Sequence, residues 1–134
     1  MTQPFTGRAP TVVLVDDNPE TLEATASFLR LEGFHIVPQS SPFGVTALVK
    51  REKPDAVVLD VMMPGLSGEG LSGVIRDVSR VPIIFFSAMP EEQLRDIAGR
   101  AVRASYVLKS EGVSYLAGEI RHRLKLTEPK TEER

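Results

Sequence analysis

Asp55-Ala56-Val57-Val58-Leu59-Asp60-Val61-Met62-Met63-Pro64-Gly65 is the stretch on which the reading of this chain turns. Four apolar residues run without interruption into a carboxylate, and a Pro-Gly turn follows. Such a run suits a strand covered on both faces, so Asp60 is the first side chain to emerge at the sheet's edge. A lone aspartate there can be a turn residue or the cap of the next helix. It can also be a site residue, because open α/β sheets bind their ligands at the carboxyl ends of strands. The rest of the chain favours the site, because it repeats the pattern.

Thr11-Val12-Val13-Leu14-Val15 predicts another buried strand, and it ends in Asp16 and Asp17. Asn18-Pro19-Glu20 then opens a helix with a cap, a first-turn proline and an acid near the positive end of the dipole. Leu22, Ala26, Leu29 and Phe28 supply its apolar stripe, and Gly33 suits the position just past its end. His35-Ile36-Val37 predicts a short strand. Ser41-Pro42 repeats the cap-plus-proline signal, opening a helix with Val45, Leu48 and Val49 inward. Beyond Asp60 a helix is expected from about Gly68 to Val78, with Leu71, Val74 and Ile75 on its apolar face. Val81 to Phe86 predicts a fourth strand ending in Ser87, and Pro90-Glu91-Glu92 starts a helix with Leu94, Ile97, Ala98 and Ala101 on one side. Ser105 to Leu108 predicts the fifth strand, ending in Lys109. Val113, Leu116, Ala117, Ile120 and Leu124 mark the last helix. Strands alternating with helices imply a parallel sheet with right-handed crossovers and helices on both faces.

Length and composition bound the possibilities. The 134 residues suit one domain, 42% hydrophobic and 25% charged, as in ordinary soluble proteins. Sixteen basic against 18 acidic side chains give a net charge of −2, which offers no global pull toward nucleic acid. With no cysteine there can be neither disulfides nor thiolate metal sites. No apolar run approaches a membrane span, and residues 1–10 lack the apolar core of a secretory signal. A soluble, cytoplasmic protein is the expectation, with an N-terminal extension (1–10), one domain (11–126) and a polar tail (127–134).

All carboxyl ends of a parallel sheet point the same way, so Asp16, Asp17, Asp60, Ser87 and Lys109 should share one rim. With strand order 2-1-3-4-5, the switch point lies between strands one and three and the three acids face one another. Carboxylates that close repel unless a cation neutralises them. An all-oxygen set without histidine or cysteine suits Mg²⁺, which also holds phosphate oxygens and water. A lysine and a hydroxyl on neighbouring strands could grip phosphoryl oxygens, with Asp60 as nucleophile.

These marks, with Met63-Pro64-Gly65, Gly68, Ser87-Ala88, Tyr106 and Lys109, resemble the receiver domain of two-component response regulators over about Thr11 to Leu126. The resemblance implies a flavodoxin-like (βα)5 fold. It implies transfer of a phosphoryl group to Asp60 from a sensor histidine kinase or phosphotransfer protein. Mg²⁺ would be bound by Asp17, Asp60 and the backbone carbonyl of Met62, with Asp16 acting through water. Ser87 would move toward the phosphoryl group, Tyr106 would turn inward, and the surface of the fourth helix, fifth strand and fifth helix would change its partner preference. That surface could also pair two copies of the chain. Such a domain is no enzyme beyond its own phosphorylation and dephosphorylation, and contacts neither membrane nor nucleic acid directly. The sequence departs from the family pattern in three places. Ser110 replaces the proline often found after the lysine, for which a trans bond is expected. Met62 and Met89 stand two past the phosphoacceptor and two past the switch hydroxyl. Apolar side chains there should hinder the attacking water and slow dephosphorylation.

Other signals have plainer explanations. Gly68, Gly70 and Gly73 spell a dinucleotide fingerprint, but away from the turn directly after a strand, so a loop and first helical turn are expected. His35 and His122 are isolated and expected at the surface. Arg121, Arg123 and Lys125 should form a solvated face near the negative end of the last helix. Two settings remain for a receiver, alone or as part of a DNA-binding regulator or hybrid kinase. A Mg²⁺-dependent phosphohydrolase is the third alternative, against which stands the lack of a second acid shortly after Asp60.

Overall fold

A computed structural model of the chain describes residues 8–126. Five strands alternate with five helices: β1 (Thr11–Val15), α1 (Pro19–Leu31), β2 (His35–Gln39), α2 (Val45–Glu52), β3 (Ala56–Leu59), α3 (Gly68–Arg76), β4 (Ile83–Ser87), α4 (Glu91–Arg100), β5 (Ala104–Leu108) and α5 (Val113–Leu124). The strands form one parallel sheet in the order β2-β1-β3-β4-β5, the flavodoxin-like order expected. Residues 1–7 and the expected tail, 127–134, lie outside the described residues.

The central strands are apolar except for Thr11 at the start of β1 and Ser87 at the end of β4, because both of their faces are covered. Successive side chains of a strand point to opposite faces. Val13, Val15, Val57, Leu59, Ile83 and Phe85 therefore pack against α2, α3 and α4, while Val12, Leu14, Val58, Ile84 and Phe86 pack against α1 and α5. The edge strands β2 and β5 are less buried. Pro38 sits in β2, an edge strand, where a missing N–H is tolerated.

Local chemistry sets the helix ends. The Asn18 side chain accepts from the N–H groups of Glu20 and Thr21, both at 3.0 Å, and caps α1. At the other end Gly33 takes φ +100°, its N–H reaches Arg30 O at 3.1 Å, and Phe34 N–H reaches Leu29 O at 3.2 Å. This doubly bonded glycine cap brings Phe34 onto Leu29, both buried.

Three expectations need correction. Ser41-Pro42 does not cap a helix. Ser41 Oγ accepts from Phe43 N–H at 3.2 Å in a turn, and α2 starts at Val45 after Gly44 in the left-handed region. The α3 helix ends at Arg76, and Val74 is 42% exposed because Ser72, whose hydroxyl donates to Glu69 O, takes the inward place beside Leu71 and Ile75. Arg121 is not part of a solvated face. It is buried, donates to Glu32 Oε1 at 2.7 Å and lies 5.3 Å from the Phe34 ring centroid, fastening α5 to the end of α1.

Candidate phosphoryl and metal site at the carboxyl end of the sheet

Asp16, Asp60, Ser87 and Lys109 each stand at or just beyond the end of a strand, and their places follow from a shared local device. Asp16 Oδ1 accepts from Asn18 N–H at 3.0 Å, Asp60 Oδ1 from Met62 N–H at 3.1 Å, and Ser87 Oγ from Met89 N–H at 3.4 Å. In each case a short polar side chain hooks the amide two residues on, the turn that Asp and Ser make readily. The strand ends and the side chain is fixed by the same bond.

The opposite carboxylate oxygens converge on Lys109. Its Nζ donates to Asp16 Oδ2 at 2.7 Å and to Asp60 Oδ2 at 2.9 Å. Both aspartate side chains are under 10% exposed, whereas the lysine side chain is 22% exposed. Burial disfavours the ammonium, but its hydrogen bonds and charge attraction to Asp16 and Asp60 outweigh this and hold its pKa above the ordinary lysine value. Asp17 stands beside them, more open to solvent, and carboxylate oxygens of Asp16, Asp17 and Asp60 lie within 4.8 Å of one another. The donor set is all oxygen and three carboxylates strong, which fits a hard divalent cation of the Mg²⁺ type. A groove of about 350 Å³ lined by Glu20, Thr21, Ala24, Phe86, Lys109 and Val113 reaches the lysine from the side of α1 and α5.

The loop that carries Asp60 is packed against the start of α3 without room for a side chain. A Cβ on Gly68 would fall 2.2 Å from the Asp60 carbonyl oxygen and 2.8 Å from Val61 Cα. Gly68 N–H donates to Val61 O at 3.0 Å, so the helix is bonded to the residue after the aspartate. Ser67 caps the helix through its bond from Gly70 N–H. Gly68 and Gly70 thus lie in the first helical turn, as expected, while Gly73 lies further along the helix and the close backbone approach at Gly68 is an addition to that reading.

Ser87 and Tyr106 have partners of their own. Ser87 is fully buried at the end of β4. Tyr106 on β5 is half-buried, and its hydroxyl donates to Glu91 Oε2 at 2.9 Å, with Arg95 3.7 Å from the same oxygen. Met62 is 57% exposed, while Met89 packs against the core. The Lys109–Ser110 bond is trans, as expected. The sequence left two participants unread. Glu91 looks like a first-turn acid, and nothing local announces its tyrosine fifteen residues away. Glu111 did carry a signal: an acid three residues after a strand's last residue matches the return half of a capping box, and its Oε1 accepts from Leu108 N–H at 2.9 Å.

Comparison with known proteins bears on the fold and the family. The family model of the response regulator receiver domain matches residues 12–121. TcrX, a probable transcriptional regulatory protein of Mycobacterium tuberculosis, is 30% identical over 122 residues, covering 90% of this chain and 52% of that protein. The transcriptional regulatory protein YvrH of Bacillus subtilis is 35% identical over 118 residues, covering 87% and 49%. The chain spans about half the length of the curated relatives it matches. Among solved structures, a putative response regulator of Chloroflexus aurantiacus superposes with a TM-score of 0.81 at 22% identity over 88% of this chain and 99% of that one. The BeF3-activated receiver domain of Klebsiella pneumoniae RstA gives 0.79 at 26% identity, over 86% and 98%. No helix among the described residues is long and apolar enough to cross a membrane. The chain belongs to the response regulator receiver domain family.

Proposed function

We propose that this receiver accepts a phosphoryl group on Asp60 from a phosphohistidine of a sensor histidine kinase or phosphotransfer protein. An Asp60 oxygen forms a bond to phosphorus, the phosphorus–nitrogen bond breaks, and the departing imidazole keeps the electron pair. The observation that carries this reading is the convergence of Asp16 Oδ2 and Asp60 Oδ2 on one ammonium, with Asp17 beside them. Lys109 then neutralises charge on the phosphoryl oxygens from one flank. Asp17, Asp60 and the Met62 carbonyl would hold Mg²⁺ on the other, with Asp16 acting through water. When bound, the ion supplies charge neutralisation and orientation of phosphoryl oxygens.

Ser87 and Tyr106 serve as the switch. Ser87 turns toward the new phosphoryl group, Tyr106 leaves Glu91 and turns inward, and the face made by α4, β5 and α5 changes its preference for a protein partner or a second copy. The chain contacts proteins and not nucleic acid in this scheme, works in the cytoplasm, and catalyses nothing beyond its own phosphorylation and dephosphorylation. It serves either alone, the setting favoured here, or as the receiver of a longer regulator, as the half-length match allows; the gene's stop codon separates these.

The test is incubation with acetyl phosphate and Mg²⁺ followed by intact mass measurement. One added phosphoryl mass is expected, absent in Asp60→Ala. An adduct that survives Asp60→Ala, or none in the wild type, overturns the assignment.

A further inference from the structure

Lys109 reaches two carboxylates just past the ends of two other strands, β5 is the sheet's edge, and the lysine lies just beyond its last residue. A long, jointed side chain delivers its charge reproducibly only when its backbone is held. Here the lysine opens a single 3-10 turn, Lys109–Glu111, which is closed twice. Gly112 N–H donates to Lys109 O at 3.1 Å, and Glu111 Oε1 accepts from Leu108 N–H at 2.9 Å. The second bond joins the residue before the lysine to the side chain two residues after it, so the lysine is bracketed. Gly112 leaves the turn at φ 95° and ψ 162°, a region open essentially to glycine. Glu111 is itself exposed, so packing does not call for it.

We propose that Glu111 is a positioning residue for Lys109: its carboxylate, by holding Leu108 N–H, fixes the turn from which the ammonium reaches Asp16 and Asp60. Ser110, between them, lacks the ring that would stiffen the turn, and the glutamate supplies the constraint instead. Glu111 touches no reacting atom and acts only through the lysine. The consequence for phosphoryl transfer rests on the role proposed above for Asp60; the consequence for the lysine does not.

The experiment compares the full chain with Glu111→Ala and Glu111→Gln. Without metal, ¹⁵N NMR follows the Lys109 ammonium, visible while its protons are held in ion pairs, and hydrogen exchange follows the Leu108 amide. With Mg²⁺ and acetyl phosphate, intact mass follows phosphorylation. In Glu111→Ala the Leu108 amide should exchange faster, the ammonium signal should broaden or vanish, and phosphorylation should slow about fivefold, the reach of one net hydrogen bond. Glu111→Gln should recover most of each, because its side-chain oxygen accepts the same bond. A wild-type ammonium signal in Glu111→Ala, or a Gln variant as impaired as the Ala variant, overturns the proposal. If the wild type takes no phosphoryl group, the Asp60 assignment fails, and the metal-free ammonium signal still decides the role of Glu111.

Discussion

The rim at the carboxyl end of the sheet has two unlike halves. On one, Asp16 and Asp60 are buried and share one ammonium, each also hooked to an amide two residues on. On the other, Tyr106 is half-buried and donates to Glu91, whose side chain is 50% exposed, with the exposed Arg95 against both. Breaking a buried, multiply bonded charge cluster is costly, whereas an exposed polar contact contributes little because water competes for both partners. The first half is therefore built to hold still, and the second to change place at small cost. If the switch proposed above operates, that division keeps the chemistry fixed while the outer face responds.

The sharpest way to break the rigid half is Gly68→Ala. The new methyl meets backbone, which cannot swing aside, so either α3 or the Asp60 loop must move. Overpacking of this kind costs about 3 kcal/mol at the upper end of its usual range. Urea denaturation should show that loss, with phosphorylation impaired as well; a variant of unchanged stability would mean the loop is looser than its packing implies.

Next comes the charge cluster. Lys109→Met should cost about 2 kcal/mol in metal-free buffer, less than a fully buried pair because water still reaches the lysine. The pH dependence carries a sign. The folded-state pKa of Lys109 is raised above 10.5, so its contribution is complete below that value and disappears as pH rises through the folded pKa. Wild-type stability should therefore fall on the alkaline side more steeply than that of Lys109→Met. Parallel curves above pH 10 would remove the ion pairs from the account.

Much of the rigid half was legible in the sequence, and the responsive half was not. The β1, β3 and β4 strands announce themselves because burial on both faces permits no polar interruption, and the residues that end them stand out by contrast. The order of strands follows from alternation and handedness, so convergence of Asp16, Asp17, Asp60 and Lys109 needed no local signal. Pairings between polar side chains distant in sequence lack such a rule. Glu91 with Tyr106 and Arg121 with Glu32 join residues far apart in sequence, and each glutamate has an ordinary local explanation. The Ser41-Pro42 signal failed for another reason. The same hydroxyl that caps a helix also closes a short turn, and Gly44, free to adopt φ 88°, let the chain take the turn first. Val74 misled because α3 is short, and a serine bonded to its own helix filled the inward position.

The two methionines follow Asp60 and Ser87 by two residues. Met62 is open and Met89 packs on the core, yet each backbone N–H holds a candidate site side chain. Substitution of the side chains leaves those bonds available, so Met62→Asn with Met89→Glu tests the side chains alone. If apolar bulk hinders the attacking water, the phosphorylated double variant should lose its phosphoryl group about tenfold faster, equal to 1.4 kcal/mol of barrier. Loss no faster than in the wild type would dismiss that account of a long-lived phosphoryl group.

The smallest effect belongs to the latch on Tyr106. Glu91→Ala removes the acceptor that holds the hydroxyl outward and leaves Arg95 without that carboxylate. A ligand or modification shifts a two-state equilibrium only by its differential interaction with the two states, and so does a latch. Losing one exposed hydrogen bond should therefore favour the inward tyrosine by only two- to fivefold, roughly. The Tyr106 ring resonances should move toward those of the phosphorylated wild type, and phosphorylation by acetyl phosphate should quicken by no more than that factor. Glu91→Gln keeps an acceptor and should sit between the two. If both variants leave the ring resonances where they are, packing rather than Glu91 sets the tyrosine's place, and the outer half of the rim is as firmly held as the inner.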